Sequence, residues 1–204
     1  QRFIHRLGVE GRAGYIFQTN PFLEYSNHQY KPMKNAYAGH LKYSFQLRPH
    51  TVADQAYIGA YQGIGVGYFN FGNPEELGNP LAVYLFQGGR IAQFSPRISL
   101  NYEWNFGASF GWKPYDEYDN PENQIIGSKV NAYLNVNLYL KWALSPKFDL
   151  MIGTTGSHFS NGNTQYPNSG LNTVDCKVGL VYNFNRRADE LVQSWQRPIV
   201  PPFP

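Results

Sequence analysis

The feature that most constrains this chain is a strict alternation of side-chain character between Val130 and Trp142. The even positions hold Val, Ala or Leu and end in Trp, whereas the odd positions hold Asn, Tyr or Lys. A helix would spread these residues over all of its faces, because its period is 3.6 residues, whereas a strand has a period of two. The segment therefore predicts one long β-strand with an apolar and a polar face.

Seven other segments show the same alternation, some of them less clearly. Together they predict eight strands of about ten or more residues, the length that crosses a bilayer at a tilt. In the fifth strand we expect Trp112 to continue the apolar face, and the start of the fourth strand is apolar on both faces, so its orientation stays open. The eight predicted segments are Leu7–Phe17, Tyr37–Leu47, Tyr57–Asn70, Leu81–Phe94, Ile98–Trp112, Val130–Trp142, Phe148–Ser160 and Asn172–Phe184.

The connections between these strands alternate between long and short, which is typical of an antiparallel up-and-down barrel. An even strand number places both ends of the barrel on the short-turn side, which is the periplasmic side in outer-membrane barrels. We expect the barrel to occupy residues 1–185, and residues 186–204 to form a short helix and a Pro-rich tail. The long connections are 18–36, 71–80, 113–126 and 161–171, and the short ones are 48–56, 95–97 and 143–147.

The face that points outwards decides between a membrane barrel and a soluble barrel that binds a small apolar ligand. The polar phase carries charges of both signs, such as Arg6, Glu10, Lys42 and Glu103, which can neutralise one another in a narrow lumen. The other phase is almost free of charge and rich in aromatic residues near strand ends, as lipid-facing surfaces are. Charged residues make up only 15% of the chain, against roughly 25% in soluble domains. We therefore expect a transmembrane barrel.

Composition also excludes several classes. The net charge is +3 without any run of Lys or Arg, so nothing indicates a nucleic-acid partner. One cysteine excludes an internal disulfide and a cysteine-rich zinc site, and no residue spacing suggests a metal or cofactor. The chain starts at Gln1, without Met or a basic and apolar leader, so we expect a processed product.

The strongest candidates for catalytic residues are His158 and Ser160, which lie two positions apart at the end of the seventh strand. Side chains two apart on a strand leave the same face, so an imidazole can reach a hydroxyl. The two residues lie on the same face as the apolar residues earlier in this strand. We therefore expect the pair on the lipid-facing side of the barrel, at the end that carries the long loops. From these residues alone, the alternative is that they are ordinary polar residues at the start of a loop and not a catalytic pair. We expect His28 and the neighbouring Glu75 and Glu76 to be solvated loop residues.

The segment around this pair resembles a known family. His158-Phe159-Ser160-Asn161, followed by Pro167-Asn168-Ser169-Gly170, is similar to the motif of the PagL-type lipid A 3-O-deacylases, the acyloxyacyl hydrolase family. The resemblance in motif covers about residues 156–172, and the eight-strand plan covers most of the rest. It implies a serine esterase in the Gram-negative outer membrane. Such an enzyme hydrolyses an ester-linked acyl chain of lipopolysaccharide lipid A in the outer leaflet.

Placed on this chain, the resemblance implies that Ser160 is the nucleophile and His158 the general base. The oxyanion and substrate-binding groups would be the backbone around Asn161, Gly162 and Asn163. The family has a Glu just after its Pro-Asn-x-Gly turn, and this chain has Asn172 there. We expect Asn172 to orient His158, by analogy with Cys-His-Asn sites. The phase of Asp175 points this nearest carboxylate into the lumen.

Asn172 leaves a second function open: a non-catalytic outer-membrane barrel with a structural or adhesive role, descended from this family. The expected partners are lipid A and the surrounding outer-membrane lipids. The sequence leaves open whether two barrels pair as a homodimer.

Overall fold

The computed structural model describes residues 2–191 and has eight antiparallel strands that close into one barrel in chain order, as the sequence predicts. Each strand pairs with its neighbours along the chain, and β1 pairs with β8 to complete the wall. The strands are β1 Phe3–Ile16, β2 Asn35–Leu47, β3 Tyr61–Asn70, β4 Leu81–Gln93, β5 Ile98–Phe110, β6 Val130–Ala143, β7 Phe148–Ser160 and β8 Leu171–Asn183.

The alternation observed in the sequence becomes the two faces of the wall. Leu138 is 48% exposed on the outside, whereas its neighbours Asn137 and Tyr139 are buried on the inside. Arg6, Glu10 and other charged residues of the polar phase are likewise buried in the lumen. The inverted, soluble arrangement is therefore excluded, because the outer surface is a continuous apolar band. In the part of the chain that the structure describes, no helix is long and apolar enough to span a membrane.

The third strand and the connection before it differ from the sequence prediction. The third strand begins at Tyr61 and not at Tyr57, because Val52–Tyr57 forms a short helix capped by the Thr51 side chain. Ile58 then adopts a left-handed conformation, with φ 47°, which ends the helix before the strand. The connection that we expected to be a short turn therefore contains a helix.

Trp112 was predicted on the outer face with Trp104, and this is wrong. Strand β5 ends at Phe110, and Gly111 turns the chain with φ +87°, a conformation that favours glycine. The Trp112 ring consequently enters the barrel mouth, where only 4% of it is exposed. The fourth strand, which the sequence could not orient, places Tyr84 and Phe86 inside and Leu85 outside.

Rings from five strands or loops close the extracellular end of the lumen. We call Phe69, Phe71, Trp112, Tyr133 and Phe159 the aromatic cluster; the ring of Phe159 lies 5.1–5.6 Å from the other four. Farther down, five charged side chains form an ionic network inside the barrel: Glu10, Arg12, Lys42, Glu103 and Lys177.

The long loops lie at the end of the barrel that carries the aromatic cluster. The first contains a short helix, α1 Pro21–Glu24, whose Phe22 and Leu23 are fully buried. At the opposite end, Ala188–Glu190 forms a 3-10 turn, and Arg48 binds the Glu190 carboxylate at 2.8 Å. The helix and Pro-rich tail that we predicted over 186–204 lie mostly outside the described residues.

Candidate active site

The candidate site lies where β7 ends and β8 begins, at the extracellular rim of the barrel. The two strands are in register so that His158 faces Asn172 across the ladder. Ser160 is the last residue of β7, two positions beyond His158 on the same face. All three side chains are half-buried on the outer face of the wall. The sequence phase therefore placed them correctly.

The three side chains form a continuous hydrogen-bonded chain. Nδ1 of His158 lies 2.6 Å from Oδ1 of Asn172, and Nε2 of His158 lies 3.0 Å from Oγ of Ser160. An amide oxygen only accepts, so Nδ1 carries the ring proton in this arrangement. Nε2 is then left as an acceptor for the Ser160 hydroxyl. This is the arrangement of a base that can activate a nucleophile, with a third group to orient the base.

The carboxylate of Asp175 lies on the other side of the wall. It is buried in the lumen, where it accepts a hydrogen bond of 3.0 Å from Oγ1 of Thr173. Ser157 also points inwards, where it accepts from Asn135 at 2.8 Å. Both orientations follow the period of two that the sequence shows.

The predicted oxyanion segment is folded back on its own loop. The Asn161 N–H donates to Oδ1 of Asn168 at 3.0 Å, and Nδ2 of Asn168 donates to Oδ1 of Asn163 at 3.0 Å. Gly162 and Asn163 both have positive φ, 65° and 63°, which turns the chain sharply after the strand. The Asn161 amide is therefore occupied by Asn168 in this conformation.

Two residues that carry no functional signal in the sequence support the site. Phe159, between His158 and Ser160, points inwards and is fully buried in the aromatic cluster, which fixes the end of β7. Gly170 has φ +74°, and a Cβ there would lie 3.2 Å from Cε1 of His158. The period of two could have identified Phe159, whereas nothing local predicts the close approach at Gly170.

The other candidates have different surroundings. His28 is exposed, as expected, and its backbone N–H donates to Oε1 of Glu76 at 2.8 Å. Glu75 is exposed, but the prediction that Glu76 is solvated is wrong, because only 1% of Glu76 is exposed. Its backbone carbonyl oxygen and one of its carboxylate oxygens accept hydrogen bonds from residues of the neighbouring loops. Within residues 2–191, no three His, Cys, Asp or Glu side chains lie close enough together to bind a metal.

Comparison with known proteins gives a match to a family model. The model of the family described as lipid A 3-O-deacylase (PagL) matches residues 84–181, a segment that contains His158, Ser160 and Asn172. The resemblance to the PagL family is confirmed. No curated protein is similar enough in sequence to count as a relative.

Solved structures with a similar fold include those of PagL and Neisserial surface protein A. The crystal structure of the outer-membrane enzyme PagL matches with a TM-score of 0.54 and 15% identity, over 84% of this chain and 97% of that one. Neisserial surface protein A (NspA) matches with a TM-score of 0.50 and 10% identity, over 89% of this chain and 96% of that one. At such identities the structural matches show the fold alone. Taken with the family match, they place this eight-stranded barrel in the Gram-negative outer membrane.

Proposed function

We propose that this protein is a lipid A deacylase: a serine esterase that hydrolyses an ester-linked acyl chain of lipid A in the outer leaflet. The observation that carries the proposal is the hydrogen-bonded chain Ser160–His158–Asn172 on the outer face of the rim. A nucleophile in this position meets the outer leaflet, where the ester linkages of lipid A lie. The match to the lipid A deacylase family supports the same substrate.

The proposed reaction proceeds through an acyl-enzyme. Oγ of Ser160 attacks the ester carbonyl carbon while Nε2 of His158 takes the hydroxyl proton. The tetrahedral intermediate collapses, and the bond between the acyl carbon and the oxygen of the lipid A sugar breaks. The imidazolium returns its proton to this leaving oxygen. Water, deprotonated by the same imidazole, then releases the fatty acid and restores Ser160.

The developing oxyanion needs hydrogen-bond donors. The N–H of the residue after a nucleophilic serine commonly serves this role, and here that residue is Asn161. Its N–H donates to Asn168 in the free protein, so we propose that the oxyanion displaces Oδ1 of Asn168. The backbone of Gly162 and Asn163 would line the same pocket.

Asn172 can fix the tautomer and orientation of His158 but carries no charge to stabilise the imidazolium. Replacing the acid of a serine protease by Asn costs about 10⁴ in rate, through the wrong tautomer. In this protein the amide oxygen already faces Nδ1, so we expect a smaller deficit. The same absence of charge favours the second candidate function, a non-catalytic barrel with a structural or adhesive role.

Ser160→Ala separates the two functions. We expect loss of deacylation with retention of the heat-modifiable folded barrel, because a rim hydroxyl contributes little to the fold. The readout is mass spectrometry of lipid A from cells that express each variant, and Ser157→Ala, on the inner face, is the matched control. Unchanged lipid A in cells with the wild-type protein would favour the non-catalytic barrel.

Substitution of Asn172 tests the orienting role. Asn172→Ala should lower the rate of ester hydrolysis, and Asn172→Glu should raise it by restoring the acid of the family. Asp175→Asn is the control and should have no effect, since Asp175 lies inside the barrel. A rate that depends on Asp175 and not on Asn172 would disprove this assignment.

A further inference from the structure

The fourth long loop returns to β8 by contacts with the third long loop. The backbone N–H groups of Ser169 and Gly170 donate to the carbonyl oxygens of Gln124 and Ile125, each at 3.2 Å. Gly170 also lies close to the His158 ring, since a Cβ there would lie 3.2 Å from Cε1. The position of residues 124–125 therefore helps to set the space around the imidazole.

Residues 124–126 are in turn held by the Asn123 side chain. Its Oδ1 accepts from the N–H groups of Ile125, at 2.9 Å, and Ile126, at 3.3 Å. Its Nδ2 donates to the carbonyl oxygens of Lys113, at 2.9 Å, and Glu76, at 3.1 Å. Asn123 is fully buried, so these contacts replace water completely.

We infer that Asn123 is a positioning residue for the Ser160–His158–Asn172 site. It shapes the backbone at 124–126, this backbone holds Ser169 and Gly170, and Gly170 leads directly into Leu171 and Asn172. The inference rests on the proposed function, since it assigns Asn123 to the same reaction. Asn123 acts through the loops and is not itself a catalytic residue.

The chain offers a matched control in Asn120. Nδ2 of Asn120 donates to the same carbonyl oxygens, of Glu76 at 2.8 Å and of Lys113 at 3.3 Å, and it is buried as well. Asn120→Ala therefore removes the donor contacts that Asn123 also makes. Asn123→Asp keeps the oxygen that accepts from two backbone N–H groups, as in other Asx turns. Because the position is fully buried, the protonated acid is favoured there, and its O–H replaces one of the two Nδ2 donor contacts. Only Asn123→Ala removes that acceptor.

The experiment measures kcat and KM of the full-length protein, refolded in detergent, with purified lipid A as substrate. A displacement of about 1 Å at a catalytic group can cost about 10² in rate. We therefore expect Asn123→Ala to lower kcat by about ten-fold to a hundred-fold with KM nearly unchanged. Asn120→Ala and Asn123→Asp should keep kcat close to the wild-type value.

A second measurement separates failure of this inference from failure of the proposed function. In ¹⁵N NMR spectra, the Nδ1–H of His158 should give a hydrogen-bonded resonance in the wild type, Asn120→Ala and Asn123→Asp, and should lose it in Asn123→Ala. If the wild type hydrolyses no lipid A, the proposed function fails and the resonance still tests the positioning. An Asn123→Ala variant with the wild-type resonance or kcat, or an equal loss in Asn120→Ala, would overturn the inference.

Discussion

The lumen holds two regions built on opposite principles, the ionic network in its middle and the aromatic cluster at its extracellular end. In the network, Glu10 pairs with Arg12 at 2.6 Å and with Lys177 at 3.2 Å, and Lys42 pairs with Glu103 at 2.5 Å. In the cluster, the five rings contact one another within the mouth of the barrel. One region neutralises charge, and the other fills space.

The difference matters for the candidate site because only one of the two regions touches it. Phe159 belongs to the aromatic cluster and lies between His158 and Ser160 on β7. The ionic network lies farther from the rim and reaches the cluster through a hydrogen bond of 2.8 Å from Arg12 to the Tyr133 hydroxyl. We therefore expect the cluster to control stability and activity together, and the network to control stability alone.

Phe159→Ala should have the largest effect of the substitutions in the lumen. Removal of a buried Phe costs about 3–5 kcal/mol, and here it also loosens the strand end that carries His158 and Ser160. The expected result is a lower free energy of unfolding in urea titrations, together with a strongly reduced rate of ester hydrolysis by the protein that remains folded. The rate is corrected for the folded fraction by gel mobility.

Phe86→Ala is the control for this prediction. Phe86 is also buried in the lumen, 3% exposed, but it packs on Tyr61 and Tyr84 and not on the cluster. A similar loss of stability with an unchanged rate per folded molecule is expected. An equal loss of rate in both variants would show that the cluster has no special relation to the site.

Glu10→Gln should have the next largest effect and tests the ionic network. The substitution removes the carboxylate that Arg12, Lys42 and Lys177 share, and leaves these cations with one fewer anion. Breaking a buried ion pair from one side costs about 3–5 kcal/mol, and we expect about 3 kcal/mol because Gln keeps one acceptor oxygen. The rate of hydrolysis per folded molecule should not change. Glu122→Gln, at an exposed position, is the control. A loss of rate in Glu10→Gln would show that the ionic network controls activity as well as stability.

How much of this could be predicted from sequence follows from the range of the interactions. The strands, their number and their faces follow from a period of two, which is local, and the pair His158 and Ser160 needs only a spacing of two on one strand. Asn172 required the family resemblance, and its contact with His158 also depends on the register of β7 against β8. That register is set by the whole barrel.

The parts that the sequence could not predict are those in which the backbone leaves regular structure. The burial of Trp112 depends on one left-handed glycine, and the burial of Glu76 depends on three loops that fold over one another. The role of Asn168 depends on a loop conformation that ties it to Asn161. Contacts of this kind join residues far apart in sequence without any periodic pattern.

The smallest effect is expected for Gly65→Ala, at the boundary between the two regions. A Cβ at Gly65 would lie 2.5 Å from the ring of Tyr84. That ring cannot easily move, because its hydroxyl is 2.7 Å from Nδ1 of His40 and its centroid lies 5.2 Å from that of the Tyr133 ring. Overpacking of this kind costs about 1–3 kcal/mol.

Gly11→Ala is the control, since a Cβ there meets nothing within 4 Å on the outer face, and it should leave the free energy of unfolding nearly unchanged. If the two variants unfold at the same urea concentration, Tyr84 has room to shift, and the boundary is looser than either region that it separates.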